Sequence, residues 1–485
     1  MKVAIIGSGI TGMSAGITLQ KAGIDTVIFE KMSTPGGVIS VYKKDILINN
    51  ALEFVFGTAQ NTFANDMWQS LGMFTETPEN KKQFKTFWWK GHSVSIYKDF
   101  DKTVKELISL GQADEKHILR LGKAVKKFQK IELPLITKAS SDTLRRLIKI
   151  FFNCFPVIPE VLYYGLLSCR KYSKKMKSPE LREFFADVLT GSRSVLQYIV
   201  LWSFFSAGNF SAPDNNQKEM TETLYENYIR YGGKVIFNKE LISVTVKDKR
   251  ICSLNFQNDT VSDFDHVIFT NDIFAVNTVF NNSGKRLNTL ENTIKNEHIT
   301  SSVMLYFSID KEKASKIIDN LSIPCAPIKV GSRLLNNFSV RIQEDTQTDK
   351  KALSVTLYQN EKDFAVWKEL NDDSTKQYKD EKQRIARCIT KTIEERYPEL
   401  KGCLQLSDMT TPLTYFRYTG VNCGGWMPEG WNPLIYLRYA RGKMPGIKNA
   451  QLAGQKVFPI GGTTLGAFSA VKASQRLIKL CNKTD

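Results

Sequence analysis

The residues best equipped for chemistry stand at the start of the chain, and what equips them is mostly the lack of side chains. Gly7-Ser8-Gly9-Ile10-Thr11-Gly12 has the spacing G-x-G-x-x-G and directly follows the apolar run Val3-Ala4-Ile5-Ile6. Gly7 permits a tight turn, Gly9 lets the backbone approach a pyrophosphate, and Gly12 lets the next helix pack closely on the sheet. After the turn, Met13, Gly16, Leu19 and Gln20 to Gly23 read as a short helix and its stop, and the free N–H groups and dipole at that helix's N-terminus favour an anion. A second apolar run, Thr26-Val27-Ile28-Phe29, ends at Glu30, where a carboxylate accepts hydrogen bonds from both ribose hydroxyls and disfavours a 2′-phosphate. Strand, glycine turn, helix, strand and acid arrive in register and predict a dinucleotide site.

The rest of the chain must supply the elements that position such a site. With 485 residues, 42% hydrophobic and 24% charged, the composition is that of an ordinary globular protein, which excludes a disordered, collagen-like or polytopic membrane chain. Residues 76–215 read as mostly helical and basic, interrupting the nucleotide domain. Residues 218–275 read as a helix from Met220 to Tyr231, stopped by Gly232-Gly233, and then strands. Residues 276–440 form a second mixed segment, with a helix from Asp380 to Tyr397 stopped at Pro398. The final 45 residues return to a strand and a glycine turn. No C-x-x-C pair occurs among the eight cysteines and none of the four histidines is spaced as a metal pair, so no metal is expected. Val3 to Ile6 is too short for a signal-peptide core, and with free thiols this reads as a cytoplasmic protein.

Beyond the first turn, Lys31-Met32-Ser33-Thr34-Pro35-Gly36-Gly37-Val38 places a Gly-Gly pair six residues past the acid, which resembles flavoproteins of the two-dinucleotide-binding-domain type. Three later stretches resemble the phytoene desaturase, carotenoid isomerase and retinol saturase family. They are Gly232-Gly233-Lys234-Val235 through Phe269-Thr270-Asn271-Asp272, then Tyr397-Pro398-Glu399-Leu400 with Thr411 through Gly420, and finally Leu452-Ala453-Gly454-Gln455 with Phe458-Pro459-Ile460-Gly461-Gly462 and Gly466-Ala467. The blocks span nearly the whole chain in order. Val38, Asn49-Asn50-Ala51, Ile460 and Thr463 depart from the family's commoner residues.

The resemblance implies an α/β fold: a Rossmann-like FAD-binding domain in three parts (1–75, 216–275 and 441–485), an interleaved α+β substrate domain (276–440), and a helical lid or membrane-facing insertion (76–215). It implies FAD held by Gly7, Gly9, Ile10, Thr11, Gly12, Glu30, Lys31, Gly36, Gly37, Val38, Leu241, Gly454, Gly461, Gly462 and Ala467. Tyr415 and Trp426, near the family block, are the candidate substrate-pocket residues. The implied activity is hydride transfer between flavin N5 and a C–C or C=C bond of a lipophilic, carotenoid-, polyene- or retinoid-like substrate, which needs few titratable groups. Flavin amine oxidases share both nucleotide-binding ends but usually carry an aromatic residue where this chain has Thr463. A flavin-binding protein without turnover is a third reading.

The net charge is +18, and more than half of it falls in 121–177, where thirteen basic residues face three acidic ones. Between them runs an apolar stretch, 150–167, broken by Asn153, Pro156, Pro159 and Glu160, which argues against a membrane span. Basic flanks around an apolar stretch suit the surface of an anionic membrane, so a peripheral location is expected. A nucleic-acid partner is not expected, because no recognition module accompanies the charge.

Overall fold

The computed structural model describes residues 1–49, 54–74, 82–131, 145, 148, 152, 154–189, 193–211, 216–317, 319–344, 348–428, 439, 442–457 and 461–482. Phe458, Pro459 and Ile460 of the C-terminal block, and Asn50 and Ala51, lie outside the described residues. The nucleotide domain is centred on a five-stranded parallel sheet in the order Ala450–Leu452, His266–Phe269, Lys2–Ile6, Asp25–Phe29, Lys234–Ile236. Its central strand is apolar on both faces and buried from Val3 to Ile6, as a parallel sheet covered on two sides requires. The helix Ile10–Gln20 packs on it with the C-terminal helix Thr463–Cys481, so the two ends of the chain meet. Asn216–Arg230 packs along the same first helix. Tyr228 there donates to or accepts from Thr26 Oγ1 at 2.9 Å, and a Cβ on Gly16 or Gly233 would lie 2.5 or 2.1 Å from its ring. Those two glycines make the room for that ring.

The substrate domain is an eight-stranded sheet whose long buried strand Ile299–Asp310 pairs antiparallel with Lys350–Gln359 and with Gln405–Thr410. Helices Glu361–Asp373 and Thr375–Arg396 cover it, burying Trp367, Ile385, Ile389 and Ile393. Two differences from the sequence-based segments have clear causes. Residues 83–97, expected in the helical insertion, form a hairpin of Gln83–Trp89 and His92–Tyr97 that extends this sheet by parallel pairing of Thr86 with Leu321. The nucleotide core also runs past residue 275, because Ile273–Asn282 and Leu290 bury against it.

Elsewhere the described residues of the insertion are mostly helical: Phe100–Leu110, Glu115–Phe128, Ile158–Gly165 and Val195–Ser206 enclose one apolar cluster with the hairpin's Phe87, Trp89, Val94 and Ile96. Among the described residues no helix is long and apolar enough to cross a membrane.

Candidate functional site

A cavity of about 630 Å³ runs between the nucleotide sheet, the insertion and the large sheet. At one end its wall is the glycine turn. Gly7 adopts φ 102°, and a Cβ on Gly12 would lie 1.9 Å from the carbonyl oxygen of Gly7, so helix and turn touch through main chain alone. A Cβ on Gly9 would meet no protein atom closer than 3.9 Å and faces open cavity. The Gly36–Gly37 turn folds back onto it, with the Gly36 N–H donating to the Ser8 carbonyl at 3.1 Å.

Glu30 is buried at the cavity wall. Its Oε2 accepts from Ser8 N–H at 2.7 Å and Ser8 Oγ at 2.8 Å, and its Oε1 accepts from Met32 N–H at 2.9 Å. A carboxylate has about four acceptor positions, so one is left for a ribose hydroxyl, and the three protein donors fix its direction. Lys31 lines the wall beside it, donating to the Arg417 carbonyl at 2.9 Å and lying 3.6 Å from Glu240. Val38 and Leu241 also face the cavity.

The second glycine turn enters from the C-terminal side. Gly462 precedes helix Thr463–Cys481, and its N–H is held by Gln455 Oε1 at 3.0 Å. Gly461 has φ 63°, and a Cβ there would lie 2.5 Å from Pro428. Gly466 abuts Thr11, where a Cβ would come within 3.0 Å of its Oγ1. Two helix N-termini, Ile10–Gln20 and Thr463–Cys481, thus reach the same cavity; neither has a side-chain cap or an acidic residue in its first turn. Exposed backbone donors and an absence of competing carboxylates are what a bound pyrophosphate and an electron-rich ring need. The residues fit a flavin dinucleotide.

Most of the expected cofactor residues face this cavity: Gly7, Gly9, Ile10, Thr11, Glu30, Lys31, Gly36, Gly37, Val38, Leu241, Gly454, Gly461 and Gly462. Gly12 and Ala467 stand behind the wall, Gly12 under the turn and Ala467 fully buried in the helix packing. Of the substrate candidates, Trp426 lines the cavity, its Nε1 donating to Ser302 Oγ at 3.1 Å. Tyr415 corrects the expectation: it is buried in a separate cluster with Ile46, Ile48 and Tyr306, its hydroxyl 3.1 Å from the Met304 sulfur. Tyr415 and Phe416 sit side by side in the family block, but the helix Pro412–Thr419 turns about 100° per residue, so Phe416 reaches the cavity where Tyr415 cannot.

Beyond the two turns the chamber is walled by Phe54, Phe56, Tyr198, Leu201, Phe204 and Met427, with Arg193 at its side. Sequence reasoning did not reach these, since nothing local marks them. It also missed a buried ion cluster in the wall: Lys456 Nζ lies 2.7 Å from both Asp272 Oδ2 and Glu297 Oε1. Asn422 donates to the other Glu297 oxygen at 2.9 Å, and Asp272 caps helix Ile273–Asn282 by accepting from Phe274 N–H at 2.9 Å. Burial pushes the Glu297 carboxyl above its ordinary value against the pull of Lys456, with Asp272 adding to the rise. The signal available was a lysine directly after Leu452-Ala453-Gly454-Gln455, inside a block otherwise free of charge up to Lys472.

Comparison with known proteins places this architecture. A 1-hydroxycarotenoid 3,4-desaturase from Flavobacterium sp. is 22% identical over 335 residues, a match that spans 64% of this chain and 64% of that protein. The prolycopene isomerase of Daucus carota is 20% identical over 98% of this chain and 79% of its own length. In three dimensions, cyclohexylamine oxidase from Brevibacterium oxydans superposes with a TM-score of 0.57 at 12% identity, covering 99% of both chains, which establishes a shared fold. The family model for flavin containing amine oxidoreductases matches residues 10–478. With that match running from Ile10, inside the first glycine turn, through the chamber and the second turn, the chain belongs to the flavin-containing amine oxidoreductase family and is an FAD-dependent oxidoreductase.

Proposed function

We propose that the enzyme acts on C–C or C=C bonds of a lipophilic polyene, carotenoid- or retinoid-like, as a desaturase, isomerase or saturase. The observation that carries this reading is the chamber beyond the glycine turns: Phe54, Phe56, Leu201, Phe204, Trp426 and Met427 form an apolar wall. Bound FAD supplies a two-electron acceptor or donor. The chain's own part is to hold the greasy substrate dry, orient it between the Trp426 and Phe204 sides, and keep the flavin fixed by main-chain contacts.

An amine is the competing substrate. Among the described residues the carboxylates on the wall are Glu30, Glu240 and Asp272, and each has a partner: Ser8 and Met32, Lys31, and Lys456. The aromatic residue usual in amine oxidases is Thr463 here, and Arg193 brings positive charge to the same wall. An ammonium ion would meet repulsion with no carboxylate left to hold it. A cytoplasmic workplace at a membrane surface completes the reading, since such substrates partition into lipid.

The test is anaerobic mixing of the flavin-loaded enzyme with a panel of polyenes and amines, with product masses measured. A change of two hydrogens, or isomerisation without mass change, on a polyene is the expected result. Oxidation of an amine with no polyene product would overturn the proposal.

A further inference from the structure

Fifteen large hydrophobic side chains are exposed among the described residues, and six of them lie within residues 148–166. Ile148, Phe152, Phe155, Ile158, Leu162 and Leu166 are 49, 68, 66, 49, 71 and 82% exposed. Their spacings are 4, 3, 3, 4 and 4 residues, which is the repeat of one helical face. The other side of the segment is ordinary core: Val157 and Tyr164 are buried, and Val161 and Leu167 pack against the same cluster. The described residues of this segment therefore turn a more apolar stripe outward, which a monomeric surface rarely tolerates without a use.

We propose that this stripe docks the protein on an anionic lipid bilayer. Charge selects that occupant. Glu160 is the one acid in 148–166, and it is buried and tied to Lys127 at 2.7 Å, so the stripe presents no negative charge. Arg145 precedes it, and Arg170, Lys171, Lys174 and Lys177 follow it; all are exposed. Anionic headgroups neutralise such a rim while the phenylalanines and leucines enter the acyl boundary. A second copy of this chain would bring an identical basic rim against the first and be repelled.

The placement gives the docking a purpose. Helix Ile158–Gly165 packs by its inner face on helix Val195–Ser206, whose Gln197, Tyr198, Leu201 and Phe204 line the cavity. Two helices, one behind the other, stand between this stripe and the chamber. This delivery role rests on the lipophilic-substrate reading; the docking itself does not.

The test uses the full, flavin-loaded chain and vesicles of phosphatidylcholine with or without phosphatidylglycerol. The expected result is cosedimentation at least about tenfold stronger with the anionic vesicles and weakened by salt. Phe152→Ser with Phe155→Ser, Leu162→Ser and Leu166→Ser should retain flavin absorption and the thermal midpoint yet lose about tenfold in vesicle binding. Lys171→Glu with Lys174→Glu should lose the preference for anionic lipid. Equal recovery with both vesicles, or unchanged binding by the serine variant, overturns the proposal; so does a stripe variant that only converts a dimer to a monomer in light scattering. Docking without turnover of any polyene overturns the substrate reading and leaves the docking standing.

Discussion

At the glycine-turn end of the cavity the wall is main chain, and at the chamber end it is side chains. The first end uses Gly7, Gly9, Gly36 and Gly37, all within 31 residues, plus one carboxylate held by three donors. The second draws Phe54 and Phe56, the helix Val195–Ser206, and Trp426 with Met427 from segments far apart in the chain. A cofactor shared by many enzymes can be gripped by groups every residue possesses, so its site tolerates few side chains. A particular substrate has to be recognised by what differs between residues, so its site is made of them.

That contrast predicts different failures when each end is altered. The largest is expected for Gly12→Ala, whose Cβ would lie 1.9 Å from the Gly7 carbonyl oxygen with only backbone to move. The protein should lose FAD entirely, seen as loss of the flavin absorption band, and melt earlier. At the seam between the two ends, Lys456→Met leaves Asp272 and Glu297 buried without their counter-ion, a loss of about 3–5 kcal/mol in denaturant unfolding. Gly9→Ala is the sharper probe of the cofactor. Its Cβ meets no protein atom nearer than 3.9 Å, so the apoprotein should fold unchanged while the Kd for FAD rises about 10- to 100-fold in titration calorimetry, or about 1.4–2.7 kcal/mol. Trp426→Leu should leave flavin content intact and lower kcat/KM about tenfold, or about 1.4 kcal/mol, in steady-state assays. If Gly9→Ala changed turnover without changing FAD affinity, the division between the ends would fail.

The smallest effect is a pH dependence of stability. The folded protein keeps the Glu297 proton to higher pH than the unfolded chain does, because burial raises that carboxyl. The stabilisation this adds is complete below the unfolded carboxylate value of about 4.3 and is lost as pH rises through the folded value. Glu297→Gln removes the titration, so its thermal midpoint should vary less with pH over that range than the wild type's.

The elements next to the glycines were legible because their cause is local. Val3–Ile6, the turn, and Thr26–Phe29 before Glu30 each follow from neighbours a few residues away, and the structure has Lys2–Ile6 and Asp25–Phe29 as adjacent parallel strands. The hairpin at 83–97 was hidden inside a helical reading because its partner strand, Leu321–Val330, lies more than two hundred residues on. Tyr415 and Phe416 are neighbours in sequence, yet only one reaches the cavity, since which helical face turns inward is set by the sheet beneath. The stripe at 148–166 is apolar in sequence either way, and only packing reveals that Phe152, Phe155, Leu162 and Leu166 face outward while Tyr164 faces in.

The sequence by itself determined the two glycine turns, the acid that ends the second strand and the α/β class, because backbone conformation and helix dipoles obey short-range rules. The chamber, the Lys456–Asp272–Glu297 cluster and the outward face of the basic segment were decided only by tertiary structure. Each depends on which distant surfaces are buried together, and burial, not residue type, sets whether a phenylalanine lines a pocket, a lysine holds two carboxylates, or an apolar stripe faces outward.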